Sequence, residues 1–285
     1  MRSVSVVIPT YNRASMLQEA LESVLRQSFQ PTEVLVVDDG STDLTKEVVA
    51  GFGNRMIKYL SLSNSGVSSA RNKGWRSALG DWVAFLDSDD LWLPQKLQRQ
   101  IQALASRADV PLCYTDEIWI RHNRRVNPCK HHAKHSGWIF QHCLARCIIS
   151  PSSALIRRDV LEEMGGFDES LPACEDYDLW LRLTSRYPVL FLEERLIIKR
   201  GGHPDQLSKK FWGMDRFRIR VLARILQDPA LREDQKKAAL AQLQRKCAIY
   251  SQGARKRGRH AEADFYQRVA LEPLAVSPEE LSSYL

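Results

Sequence analysis

Three acidic groups carry most of the chemistry this chain can offer: Asp38-Asp39, Asp87-Ser88-Asp89-Asp90 and Glu175-Asp176. Asp87 and Asp89, two residues apart just past a run of strand character, can aim hard oxygen ligands at one point. That donor set suits Mg²⁺ or Mn²⁺ shared with a substrate's phosphates. The same acids could instead cap the following helix, although a helix needs only one cap and Asp90 can supply it. Asp39 can accept the imide N–H of uracil or a ribose hydroxyl, or it can serve the Asp-Gly-Ser-Thr-Asp turn around it. Glu175-Asp176 open a helical stretch, where a carboxylate can act as a general base toward a hydroxyl or simply complement the helix dipole. Arg71, in the first turns of a helix, can pair with Asp39, with a phosphate, or face solvent. His131, His132, His135 and His142 with Cys129, Cys143 and Cys147 suggest zinc by composition. Their spacing contains no C-x2-C pairing, so the segment reads as a polar loop with a small buried cysteine pair. His203, after Arg200-Gly201-Gly202, lies in a flexible turn.

These groups fall at the ends of regular elements. Val4 to Ile8 is a strand closed by Pro9, and Ala14 to Gln27 carries Leu17, Leu21, Val24 and Leu25 at helical spacing. Glu33 to Val37 is a β-branched strand that runs into Asp38-Asp39-Gly40, after which Ser41 or Thr42 can cap a helix through Phe52. Met56 to Leu60 and Trp82 to Leu86 read as strands, Val67 to Ala78 and Gln95 to Ser106 as helices, with Pro94 at a tolerated first-turn position. Such alternation implies βαβ crossovers and a mainly parallel sheet covered on both faces. In an open sheet of this kind ligands bind beyond the carboxyl ends of the strands, so Pro9 to Arg13, Asp38 to Asp43 and Asp87 to Asp90 should face one crevice. Later, Leu112 to Ile120 and Ser153 to Ile156 read as strands, and Asp159 to Met164 and Tyr177 to Tyr187 as helices. Beyond residue 205 the pattern turns helical, with candidates at 208–227, 230–252 and 258–270.

The 285 residues are 44% apolar and 26% charged, which excludes disorder and collagen-like repetition and suffices for a core without staples. Irregularly spaced cysteines and an N-terminus without an apolar signal core lead to the expectation of a cytoplasmic protein with reduced thiols. No apolar run approaches the ~20 residues a bilayer requires, so any membrane contact is expected to be peripheral. The net charge of +7 is uneven: −2 over residues 1–194, +13 over 195–260 and −4 over 261–285. The basic segment could meet phosphate or anionic lipid, or form a solvated helical face. No nucleic-acid module is recognisable, and neither G-x-G-x-x-G after the first strand nor G-x-x-x-x-G-K-[ST] occurs.

In order, Pro9-Thr10-Tyr11-Asn12-Arg13, Asp38 to Asp43, Gly66 to Gly74, Phe85 to Asp90, Gly165-Gly166-Phe167-Asp168-Glu169 and Glu175 to Trp180 resemble the motifs of family 2 glycosyltransferases over about residues 3–205. The resemblance implies the GT-A fold, a Rossmann-like α/β architecture, here followed by a C-terminal helical extension (catalytic domain 1–205, basic extension 206–285). It also implies a nucleotide-diphosphate-sugar donor, UDP-linked by the uracil reading of Asp39, Mn²⁺ or Mg²⁺, and inversion at the anomeric carbon. A glycan or lipid-linked acceptor, of the kind used in bacterial-type cell-surface polysaccharide or glycolipid synthesis, is the expected partner. By position, Asp39 matches the base-reading acid, with Thr10 and Arg71 beside the nucleotide. Asp87 matches the ribose-side acid and Asp89 the metal-holding acid of a D-x-D motif. Asp176 matches the catalytic base, with Glu175 its neighbour, and His203 resembles a late histidine near the metal or diphosphate. Two other readings compete: a nucleotidyltransferase, which would want a glycine-rich basic loop after the first strand, and a non-catalytic carbohydrate-binding relative.

Overall fold

The structure is a computed structural model describing residues 3–127, 133–203 and 210–284. Nine strands form one sheet among the described residues: β1 (Val4–Thr10), β2 (Glu33–Asp38), β3 (Ile57–Ser61), β4 (Trp82–Phe85), β5 (Leu91–Trp92), β6 (Leu112–Arg121), β7 (Arg124–Val126), β8 (Leu155–Arg157) and β9 (Leu190–Gly201). Their order is β3-β2-β1-β4-β8-β6-β9-β5, with β7 on β6. The β3-β2-β1-β4 half is parallel, as the strand-helix alternation requires. The other half is mixed: β8 runs antiparallel to both β4 and β6, while β9 runs parallel to β6.

Every residue of β1 and β2 is buried, because both sheet faces are covered. Alternate side chains enter two cores: Val4, Val6, Ile8, Val34 and Val36 on one face, Val7, Leu35 and Val37 on the other. Helices α1 (Ala14–Leu25), α2 (Thr45–Gly51), α3 (Val67–Ser77) and α4 (Lys96–Leu104) connect the first strands. Gly74 of α3 permits the closest contact with the sheet, since a Cβ there would lie 2.3 Å from Val7 Cγ1. Helix α2 begins three residues later than expected, because Asp43, not Ser41 or Thr42, accepts the Thr45 N–H.

The chain continues through α5 (Phe140–Cys143), a 3₁₀ turn at Pro151–Ser153, α6 (Arg158–Met164), stopped by left-handed Gly165 and Gly166, and α7 (Glu175–Thr184). The last layer is α8 (Asp215–Ile225), α9 (Glu233–Lys256), α10 (His260–Leu271) and α11 (Pro278–Ser282). The core on the Val7 face is continuous from the sheet through Leu179 and Leu183 to Phe217, Leu222 and Leu243. Phe217, Val221 and Ile225 of α8 are thus ordinary core. No described helix is long and apolar enough to cross a membrane.

Candidate active site

The three loops at the carboxyl ends of β1, β2 and β4 meet, as their positions require. Asn12, left-handed at φ 50°, donates its N–H to Ser41 Oγ (2.8 Å) and accepts the Thr42 N–H (2.8 Å). Asp39, 6% exposed, accepts the Ser65 and Gly66 N–H groups at 2.6 and 2.8 Å, which places a carboxylate at the entrance of α3. Asp38 accepts the Ser41 N–H and the Tyr59 hydroxyl and so holds the turn itself. Thr10 lies buried beside them at the end of β1, and its hydroxyl has no hydrogen-bond partner among the described residues.

The Asp87–Asp90 acids do not cap α4, which has no side-chain cap. Asp90, 2% exposed, accepts the Ser152 hydroxyl (2.6 Å) and the Arg200 N–H (3.0 Å), tying the loop to the end of β9. Burial, with Asp89 and Asp87 alongside, pushes its carboxyl well above the usual range. Asp89 is the meeting point of two side chains: Arg13 Nη1 lies 2.5 Å and His203 Nε2 3.1 Å from the same Oδ2. His203 is delivered by a turn through Gly202, at φ 95°, where a Cβ would lie 3.0 Å from the His122 ring.

An aspartate oxygen and an imidazole nitrogen on one point form a donor pair that suits Mn²⁺. Among the described residues no group of three His, Cys, Asp or Glu side chains is placed to hold an ion. What the pair itself offers is one carboxylate oxygen and one imidazole nitrogen, 3.1 Å apart.

Arg71, 4% exposed, pairs with neither Asp39 nor solvent: Nη2 reaches Asp87 Oδ1 at 2.7 Å and Nη1 reaches Glu175 Oε1 at 2.6 Å. It joins the D-x-D loop to the first turn of α7. Burial opposes ionisation of Asp87, yet the Arg71 guanidinium overrides it and holds that carboxyl below its ordinary range. At Glu175 burial and the adjacent Asp176 prevail over Arg71, and the carboxyl is pushed up. Asp176 is half-buried; its Oδ1 accepts the Tyr177 N–H at 2.6 Å and its Oδ2 faces Cys147 Sγ at 3.2 Å. Burial and Asp176 together push the Cys147 thiol well up, so it is a donor here. The residue before α7, Cys174, is left-handed at φ 64°, an uncommon conformation for a side chain with Cβ, and it sets the direction in which Glu175 and Asp176 enter the crevice.

Ion pairs thus join Asp87, Arg71 and Glu175, and Asp89 with His203, while Asp176 follows Glu175 in α7 and Thr10 and Asp39 adjoin each other at the ends of β1 and β2. Sequence reasoning missed Lys199, Glu117 and Lys134. Glu117, 4% exposed, accepts from Ser150 (2.6 Å) and pairs with Lys134 (2.9 Å). Burial disfavours its charge, but Lys199 and Lys134 draw its carboxyl down to about 2. Burial would deprotonate Lys199, and Glu117, Asp90 and Asp87 keep it charged, its ammonium held above the ordinary range. Lys199 escaped notice because β9 carries Glu193-Glu194-Arg195 in its middle and shows no strand alternation. Only the pairing of β9 with β6, bulged at Asp116, sets Lys199 opposite Trp119, two residues along from Glu117. Of the histidine and cysteine group, His135 and His142 stack at 4.0 Å and Cys143 is buried, while Cys129, His131 and His132 lie outside the described residues.

The sheet, parallel in one half and mixed in the other, with helices on both faces and a helical layer at the end of the chain, has the GT-A type of architecture. S. aureus TarS 1–349 in complex with UDP-GlcNAc superposes with a TM-score of 0.74 at 20% identity, over 99% of this chain and 90% of that one. The mannosyltransferase PcManGT of Pyrobaculum calidifontis, in complex with GDP-Man and Mn²⁺, gives 0.61 at 19% identity over 96% and 87%. Residues 5–165 match glycosyl transferase family 2, and the chain belongs to that family. Curated relatives include an uncharacterized glycosyltransferase of Rickettsia felis, 33% identical over 73% of this chain and 35% of its own length, and one of R. typhi, 32% over 72% and 65%. The match therefore spans about a third to two thirds of those relatives. The E. coli UDP-Glc:alpha-D-GlcNAc-diphosphoundecaprenol beta-1,3-glucosyltransferase WfgD is 32% identical over 63% of this chain and 69% of its length.

Proposed function

We propose that the chain is an inverting glycosyltransferase that moves a sugar from a nucleotide-diphosphate donor, UDP-linked, to an acceptor hydroxyl. The observation that carries this reading is the bridge Asp87–Arg71–Glu175, which fixes the donor-side acids and the base-bearing helix α7 in one rigid arrangement. Nucleotide-sugars bound by TarS and PcManGT, and the UDP-glucose named for WfgD, support the donor class. Residues 1–205 act as the catalytic part and 206–285 as an extension on the acceptor side. The uracil and ribose fall to Asp39, Thr10 and Asp87.

Asp176 accepts the proton of the acceptor hydroxyl as its oxygen attacks the anomeric carbon, and the glycosidic bond to the diphosphate breaks on the opposite face. The Tyr177 N–H and Cys147 thiol orient the carboxylate and leave lone pairs for the hydroxyl. Asp89 and His203 would hold Mn²⁺ or Mg²⁺, which supplies charge stabilisation for the departing diphosphate. Arg13 and Lys199 add positive charge beside that group without a metal. The acceptor is a glycan or a lipid-linked sugar, as in WfgD's name, reached at the cytoplasmic face of a membrane with peripheral contact from exposed cations of the helical layer.

The test is transfer from a panel of UDP-, GDP- and dTDP-sugars by the wild type and Asp176→Asn. The expected result is turnover with UDP-sugars that falls by about 10²–10⁴-fold in the variant. Donor affinity should stay within twofold. Retained turnover would move the base elsewhere.

A further inference from the structure

The β6–β7 hairpin carries a basic tip, Arg121-His122-Asn123-Arg124-Arg125, that the reaction above does not use. His122 and Asn123, at φ 48° and 58°, are both left-handed, the conformation a two-residue turn needs to match the twist of its strands. This tight turn sets Arg121 directly opposite Arg124, and Ile120 opposite Arg125. Like charges directly across a strand pair repel, so the Arg121/Arg124 pairing costs stability, and an anion beside both relieves it. Arg121, Arg124 and Arg125 are exposed, and none is paired with an acid among the described residues. The acids earlier on β6 are already engaged: Asp116 lies 3.3 Å from Arg195, and Glu117 pairs with Lys134 at 2.9 Å and accepts from Ser150. Trp119, Ile120 and Val126 of the same hairpin are half-buried, with the Arg121 guanidinium 5.5 Å from the Trp119 ring centroid. Partly apolar surface therefore adjoins the three charges.

The tip is joined to the turn that delivers His203. Arg121 pairs with Gly201 at the end of β9, the His122 N–H donates to the Gly201 carbonyl at 3.4 Å, and a Cβ on Gly202 would lie 3.0 Å from the His122 ring. The next residue, His203, is 3.1 Å from Asp89. Guanidinium groups suit phosphate oxygens, and a partly exposed indole with aliphatic neighbours suits the boundary between headgroups and acyl chains; a soluble polyanion would use the first and not the second. We propose that the β6–β7 hairpin is the principal surface by which this protein docks on an anionic phospholipid membrane, with its three arginines on headgroup phosphates. The inference stands on the hairpin alone and goes beyond the glycosyltransferase reading. The exposed cations of the helical layer are a different surface, and variants separate the two.

The experiment sediments the full chain with phosphatidylglycerol or phosphatidylcholine vesicles, at low and at high salt and without nucleotide-sugar. The wild type is expected to bind the phosphatidylglycerol vesicles alone, and high salt should release it. Arg121→Gln/Arg124→Gln/Arg125→Gln should weaken that binding about tenfold or more, with no fall in the thermal melt, because it removes a like-charge pair from exposed positions. Replacing the same three arginines by lysine should keep most of the binding, which a disrupted hairpin would not. Arg257→Gln/Arg259→Gln, at exposed positions of the helical layer, should bind as the wild type does. No wild-type binding at low salt would overturn the proposal, as would full binding by the hairpin glutamine variant or loss confined to the helical-layer variant. Binding of soluble polyphosphate that needs the three arginines, with no vesicle binding, would assign the tip to a soluble polyanion and also overturn it. UDP affinity is measured separately and should be the same in the wild type and the hairpin variant, so a failed docking surface and a failed donor site give different results.

Discussion

The crevice and the helical layer use the same residue types in opposite ways. In the crevice, Arg71 sits between acids drawn from distant segments, out of water, where it fixes the Asp87 loop against the first turn of α7. In the helical layer, Arg220 and Arg224 reach back from α8 toward the catalytic part: Arg220 to Ser170, Arg224 to Asp168 and to the buried Asp178. Those arginines are partly exposed, and their role is to clamp α8 against α7 and the Gly165–Glu169 segment. Burial therefore separates charges that assemble the site from charges that attach a layer to it. It also shows that part of the +13 over residues 195–260 faces inward and is not available to a lipid surface.

The sharpest break of this comparison is Arg71→Met. It strands Asp87 and Glu175 in a low-dielectric site, and it should destabilise the fold by about 3–5 kcal/mol. Chemical denaturation measures this, and a loss below 1 kcal/mol would mean that the bridge organises nothing.

How much of this was legible beforehand differs along the chain. The βαβ half was readable because Val4–Thr10 and Glu33–Asp38 are apolar runs closed by turn residues, a pattern set by local chemistry. The acids could be placed at one crevice because parallel strands put their ends together. What Asp87, Asp90 and Arg71 bind was not readable, since each partner lies in a distant segment: Glu175, Ser152 and the end of β9. Strand β9 was hidden for the same reason: exposed Glu193-Glu194-Arg195 lie at the bulge, next to the buried Leu196 and Ile197 that hold the strand in the sheet. The helical layer was readable by periodicity, but the inward turn of its arginines depends on tertiary contacts that no single helix encodes.

A second break is smaller. Glu117, held near 2 against an ordinary 4.5, contributes stability that is present above about pH 4.5 and lost as pH falls toward 2. Glu117→Gln should flatten the acid limb of the unfolding curve between those values and cost about 2 kcal/mol at neutral pH, because charged hydrogen bonds from Lys134 and Ser150 are weakened. Melting temperature against pH measures both. An unchanged acid limb would show that Glu117 is not the titrating group.

The smallest effect belongs to the clamp. Arg224→Ala removes a partly exposed guanidinium from Asp168 and Asp178, and should cost about 1 kcal/mol. Asp178 keeps Arg182 at 2.7 Å, which limits the loss. A cost of 3 kcal/mol or more would place this arginine with the buried class.

The central claim, a nucleotide-diphosphate donor held by Asp39 and by a divalent ion at Asp89 and His203, is tested most directly by calorimetric titration of the wild type with UDP and CDP in Mn²⁺ and again in EDTA. UDP should bind at least tenfold more tightly than CDP, which offers no N3–H to a carboxylate, and EDTA should remove most of the affinity. Equal binding of UDP and CDP, unaffected by EDTA, would contradict both the base reading of Asp39 and the metal role of Asp89.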